Sequence, residues 1–199
     1  NNPFEGLTFG TESTLEVMTW NLEQFAKRGV TTVDYVIQAI EGLDIDIIAL
    51  QEIENLTYFQ QVSEGLTNWT GNRANSAPYS INLAFLYPVD GMAQVSAVYE
   101  ILTDYSREFP RSPYVLEGTF DGTEFVIINN HYKCCGDGII DESSVWDGET
   151  RCRDASLLLD DFVRTNFPDK AVIIVGDFND ELTDSPANNI FQNFLSSPD

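Results

Sequence analysis

Four apolar runs in this chain each end on a side chain of the kind that holds ions or phosphate, and that repetition limits the folds open to it. The clearest is Ala171–Asn179, AVIIVGDFN, in which five apolar residues run into Gly176 and then reach Asp177 and Asn179. A continuous apolar run of this length predicts a strand buried on both faces. Gly176 lets the backbone turn without a Cβ clash. A carboxylate and an amide two residues apart in an extended segment point the same way. Leu15–Asn21 (LEVMTWN) ends in Asn21, and Asp46–Glu52 (DIIALQE) ends in Gln51 and Glu52. Glu124–His131 (EFVIINNH) ends in the one histidine of the chain. One such end is an ordinary strand terminus. Four of them, if they converge, make an oxygen-rich acidic pocket with a single imidazole.

The order of elements alternates around these runs. Val33, Val36, Ile37, Ile40 and Leu43 follow helical spacing and predict a helix over Thr31–Leu43, capped by Thr31 or Thr32. Asn55–Leu66 predicts a second helix and Thr67–Tyr79 a long loop. Strands follow at Asn82–Tyr87, Ala93–Leu102 and Tyr114–Phe120. Asp121–Gly122 then signals a hairpin to Glu124–Asn130. Helical periodicity returns over Glu149–Phe167, stopped by Pro168, and a short helix is expected near Pro186–Leu195. Helices flanking two groups of strands favour two stacked sheets over one doubly wound parallel sheet. No repeat or linker divides the chain, so residues 1–199 read as one domain.

Composition narrows the partners. The 199 residues are 43% hydrophobic, enough for a substantial core. No apolar stretch approaches the ~20 residues of a membrane span. The first residues carry no basic or apolar leader, and a start at Asn1 reads as a processed end. The formal charge is −22, from 32 acids against 10 Lys and Arg. That argues against passive electrostatic binding of nucleic acid, although divalent cations can neutralise a site acting on a phosphodiester. Such a surface suits a saline or extracellular setting. Cys134, Cys135 and Cys152 fit no zinc spacing. A bridge from Cys134 or Cys135 to Cys152 would close the intervening acidic loop and imply an oxidising compartment; reduced buried thiols are the alternative. Asn55–Thr57 and Asn68–Thr70 match the glycan acceptor triplet, which chance also produces.

Each strand-end residue has a chemistry that fits it. Glu52 is the best ligand for a hard cation such as Mg2+ or Mn2+. Asn21 offers an amide to water, phosphate or a neighbouring ligand. Asp177 and Asn179 suit the holding of a nucleophilic water, a second ion or the scissile phosphate; an Asx turn is their plain structural reading. His131 suits hydrogen-bond donation to a non-bridging phosphate oxygen. Arg111, between Pro110 and Pro113, offers a bidentate grip on phosphate. Asp137, Asp141 and Glu142 could take Ca2+ in their loop, with a spacing unlike an EF-hand.

Read in order, TWN at 19–21, QE at 51–52, Arg–x–Pro at 111–113, NNH at 129–131 and GDFN at 176–179 resemble the endonuclease/exonuclease/phosphatase superfamily, the pancreatic-type DNase-like fold. The resemblance covers nearly the whole chain, and CCGDG after NNHYK is similar to secreted bacterial members. It implies an α/β fold, a four-layer α/β/β/α sandwich, and hydrolysis of phosphate esters with Mg2+ or Mn2+. Carried over by position, Glu52 resembles the principal metal ligand, with Asn21 beside it. Asp177 resembles the group that orients or activates water and Asn179 a phosphate ligand. His131 and Arg111 resemble the phosphate-contacting histidine and the basic residue of that region. The resemblance implies a secreted or periplasmic nuclease that cleaves DNA or RNA phosphodiesters by in-line attack of water. A phosphatase, a phospholipid or sugar-phosphate phosphodiesterase, and a non-catalytic cation-binding module are the alternatives.

One departure stands out. The family pattern ends in a Ser-Asp-His strand and loop beyond GDFN, and this chain has no second histidine. The expectation is therefore a sandwich incomplete at its C-terminus. Such a chain would keep cation binding, lose most hydrolysis, and expose an unpaired sheet edge that invites self-association or a companion C-terminal fragment.

Overall fold

Alternating side chains give each strand two faces to bury, and stacking two sheets between helices buries both. The computed structural model describes residues 2–7, 10–77, 81–133 and 136–197. The first half supplies β1 (Val17–Phe25), α1 (Val30–Leu43), β2 (Ile47–Ile53), α2 (Leu56–Gly65), β3 (Trp69–Arg73) and β4 (Asn82–Pro88). Its strands form a sheet in the order β1-β2-β4-β3. The second half supplies β5 (Ala93–Glu100), β6 (Tyr114–Phe120), β7 (Thr123–His131), α3 (Gly148–Asn166), β8 (Ala171–Asp177) and α4 (Gln192–Leu195). Its sheet runs β5-β6-β7-β8. β1 pairs parallel with β2, and β7 parallel with β8; the other pairs are antiparallel. Both parallel pairs therefore bring two strand ends together at one end of a sheet.

Three apolar cores fix the layers. Ile47, Ala49, Leu83 and Phe85 of the first sheet meet Leu116, Phe125 and Ile127 of the second. Ile48, Leu50 and Leu86 face the other way, against Val33, Val36 and Ile40 of α1 and Phe59 and Val62 of α2. Val126 and Ile128 face Ala155 and Leu159 of α3. Each fully buried Leu, Ile or Phe contributes about 1.5–3 kcal/mol, so alternation along β2 and β7 sets the register strongly. The result is the expected α/β/β/α sandwich, with the expected hairpin from Phe120 to Thr123.

Several local expectations are corrected. The loop expected over Thr67–Tyr79 contains β3, whose mixed sequence WTGNR carries no period and is held by pairing with β4. β8 is not buried on both faces: it is a sheet edge among the described residues, with Ile173 exposed. α1 starts after Gly29, not at a threonine cap, because the Thr32 hydroxyl accepts from Arg28 N instead. α4 is only Gln192–Leu195, since Asn189 and its neighbours form turns ahead of it. Asn55 caps α2 through its side chain, which accepts from Tyr58 N. Cys152 is a buried free thiol whose Sγ lies 3.2 Å from Lys133 O, while Cys134 and Cys135 lie outside the described residues.

Candidate active site

Glu52, His131 and Asp177 sit at or next to the carboxyl ends of β2, β7 and β8, Asn21 sits mid-strand in β1 where its pairing with β2 shifts register, and the sandwich brings all four together. Glu52 does so against its own strand period. Ile48 and Leu50 point to the helices, and strict alternation would send Glu52 after them. Between the pairs Leu50–Ala84 and Ile53–Asn82, however, β2 carries two residues, Gln51 and Glu52, opposite Leu83 alone. This is a β-bulge, and Glu52 takes a left-handed φ of 62° within it. The carboxylate is thereby turned toward the site. Its Oε1 accepts from Asn21 Nδ2 at 3.0 Å and its Oε2 from Gln24 N at 2.9 Å.

Asn21 joins the sheets. Its Nδ2 also donates to Asp177 Oδ2 at 2.8 Å, so one amide holds a carboxylate from each sheet. Its Oδ1 is fixed by Glu23 N at 2.8 Å. His131 lies behind this pair, with Nε2 4.0 Å from Glu52 Oε1 and 3.9 Å from Asp177 Oδ2. Burial and the nearby Arg111 charge push the His131 pKa down, against the pull of Asp177 and Glu52. The net shift favours the neutral ring. Its Nδ1 is buried without a partner, and its Nε2 faces the two carboxylates.

Asn179 and Arg111 meet at one carbonyl. Asn179 Nδ2 donates to Tyr132 O at 3.2 Å, and an Arg111 guanidinium nitrogen donates to the same oxygen at 3.4 Å. Burial lowers the Arg111 pKa, offset by the charges of Glu52 and Asp177. Asn179 lies past the end of β8 with φ 52°, and its N donates to Asp177 Oδ1 at 3.1 Å. The extended-strand argument for this pair is thus corrected: a turn, not a pleat, presents them. All six sequence-derived residues are brought to one place.

Two residues at the site went unassigned in the sequence. Gln51 and Asn129 are amides inside otherwise apolar runs, and both are buried between the sheets. A polar residue where alternation demands an apolar one was the available signal. The loop acids Asp137, Asp141 and Glu142 do not gather. Asp137 and Asp141 accept from their own loop at Ile139 N and Ser143 N, and Glu142 pairs with Arg153 at 2.7 Å.

The donor set suits a hard divalent cation. Two carboxylates from different sheets present oxygens to one amide, and among the described residues Arg111 is the cation whose charge acts on His131. Among the described residues no three His, Cys, Asp or Glu side chains form a complete cage. Mg2+ characteristically uses one or two carboxylates and takes its other ligands from water and substrate phosphate. Beside Asp177 a groove of about 840 Å³ opens, lined by Val172, Ile174, Phe178, Leu182, Phe194 and Leu195.

Comparison with known proteins agrees with this fold. A model of the Endonuclease/Exonuclease/phosphatase family matches residues 18–197. No curated protein matches the chain. The structure is similar to D. rerio TDP2 complexed with single-strand DNA product, at TM-score 0.66 and 13% identity over 84% of this chain and 61% of that one. It is similar to the human Nocturnin catalytic domain with bound sulfate, at 0.66 and 18% over 92% and 70%. It is also similar to an endonuclease/exonuclease/phosphatase family protein from Bacteroides thetaiotaomicron, at 0.65 and 16% over 92% and 68%. At these identities the likeness is one of fold.

Proposed function

The chain belongs to the endonuclease/exonuclease/phosphatase family, and from that premise we propose that it is a divalent-cation-dependent phosphoesterase that hydrolyses phosphodiesters by in-line attack of water. The observation that carries this is the Asn21 amide holding Glu52 and Asp177 together across two sheets. Glu52, with Asp177 and Asn21 beside it, would hold Mg2+ or Mn2+. When bound, the cation neutralises phosphate charge and the charge that builds at the pentacovalent stage. Asp177 orients the attacking water and accepts its proton as the new P–O bond forms and the ester P–O bond breaks. His131, neutral, donates Nε2–H to a non-bridging oxygen as negative charge grows there. Asn179 and Arg111 hold the phosphate, Arg111 through nitrogens not spent on Tyr132 O.

DNA or RNA is the proposed substrate. The TDP2 likeness, in which the relative holds a DNA product, supports that choice. A charge of −22 means that affinity for a polyanion must come from the site and its cation rather than from the surface at large. The same acidity supports a secreted or periplasmic setting.

The test is hydrolysis of a panel of DNA, RNA, phosphomonoester, phospholipid and bis-p-nitrophenyl phosphate substrates by the full-length gene product. Mg2+, Mn2+, Ca2+ and chelator are compared. Cleavage of nucleic acid that needs Mg2+ or Mn2+ and falls at least ~100-fold in Glu52→Gln is expected. Cleavage that persists in chelator, or an unaffected Glu52→Gln, contradicts the assignment.

A further inference from the structure

One layer below Glu52 and His131, the inter-sheet core stops being apolar. Gln51 and Asn129 are 1% and 0% exposed there. Gln51 Nε2 donates to Asn129 Oδ1 at 2.7 Å, and has Thr19 Oγ1 at 3.0 Å and Ala49 O at 3.2 Å within reach. Asn129 Nδ2 donates to Leu50 O at 2.9 Å and Ala84 O at 3.1 Å. An amide from the second sheet thus bonds to two carbonyls of the first.

The place of those carbonyls matters. Leu50 and Ala84 face each other in the β2–β4 ladder and form the last pair before it breaks. The next two residues of β2 are the bulge that turns Glu52. A ladder that stops inside a core leaves backbone groups in need of partners, and Asn129 bonds the two that border the break. Buried amides cost free energy to desolvate and gain little over apolar side chains of equal size. What they add here is a fixed geometry for the bulge.

We propose that Gln51 and Asn129 are positioning residues, whose amide clamp between the sheets holds the β2 bulge and so sets Glu52 opposite Asp177 for cation binding. The proposal rests on the phosphoesterase reading of the site, through the cation that reading requires. Gln51 acts from the residue before Glu52. Asn129 acts from two residues before His131, so one clamp indexes both tips.

The experiment measures Mn2+ affinity by electron paramagnetic resonance of the free ion, together with thermal melting. It compares wild type, Glu52→Gln and the double variant Gln51→Met/Asn129→Leu. Removing both partners of a buried hydrogen-bonded pair together leaves no orphan between them. The double variant should melt cooperatively but below wild type, because Leu50 O and Ala84 O lose their donor, and should bind Mn2+ at least ~10-fold more weakly, as loss of supporting groups around metal ligands does. Cooperative melting with wild-type Mn2+ affinity overturns the proposal. If the double variant does not fold, Gln51→Met alone, which keeps both Asn129 bonds to the backbone, takes its place. A drop in affinity of at least about threefold supports the clamp, and an unchanged affinity overturns it. Wild type that binds no Mn2+ at all overturns the cation reading itself, a result distinct from failure of the clamp.

Discussion

Glu52 and Gly176 both occupy backbone that an ordinary strand residue avoids, and each does so for the site. Glu52 accepts a left-handed φ so that its carboxylate leaves the helix-facing row. Backbone of this kind costs about 1–3 kcal/mol and persists where the surroundings enforce it. Gly176 has φ 141° and pairs with Asn130 across the parallel β7–β8 ladder. A Cβ there would stand 2.0 Å from Asn130 O and 2.7 Å from Asn130 C. The missing side chain lets β8 lie close enough to β7 for Asp177 to come opposite His131. Gly176→Ala should therefore destabilise the protein by about 2 kcal/mol or more and lower the melting temperature by roughly 4 °C or more. A melting curve equal to wild type would show that the close approach is not required.

The strands are tied as well as packed, and one tie is pH-sensitive. Lys170, just before β8, lies 2.6 Å from Glu117 Oε2 of β6, and Tyr99 of β5 donates to Glu117 Oε1 at 2.7 Å. The Lys170 bond first, and the Tyr99 bond second, hold the Glu117 carboxyl below its usual 4.5. A carboxylate whose folded pKa is depressed stabilises the fold above the unfolded value and loses that contribution as pH falls through the folded one. Glu117→Gln should be less stable than wild type at pH 7, by at most about 1 kcal/mol for a partly exposed pair. The gap should close below pH 4.5, as urea denaturation at several pH values would reveal. A gap that persists in acid would assign the effect to packing.

These elements differ in how plainly the chain announces them. The strands of the inner cores, and α1, α2 and α3, follow from apolar period alone, because burial of a whole face fixes it. The hairpin follows from Asp121–Gly122. β3 does not, because WTGNR is held by its neighbour and by the fit of Gly71 under Phe59 and Leu86. The half-exposed faces of β8 depend on which strand lies beyond it, which no local pattern encodes. At the site, side-chain type marked all six residues. The bulge that aims Glu52 was not marked, since it arises from pairing between distant segments, and Gln51 and Asn129 were visible as amides in apolar runs but their partnership across the sheets was not.

For the molecule as a whole, two features pull in opposite directions. β1 and β8 are outer strands of their sheets among the described residues, and the apolar groove opens between them. Leu182 and Leu195 line that groove at 65% and 55% exposure, the sort of surface that another chain covers. The charge of −22 opposes association of copies. We propose that the chain self-associates through this edge once salt screens the repulsion. Sedimentation velocity should show a dimer fraction that rises with protein concentration and with ionic strength, and that falls in Leu195→Glu. A monomer under all these conditions would remove the proposal.

Convergence of the strand ends on one cation is tested most directly by anomalous X-ray scattering from a crystal of the protein soaked in Mn2+. A single strong peak within coordination distance of Glu52 and Asp177, absent in Glu52→Gln, is predicted. Density that places Mn2+ only elsewhere, or equal occupancy of the site in Glu52→Gln, would contradict it.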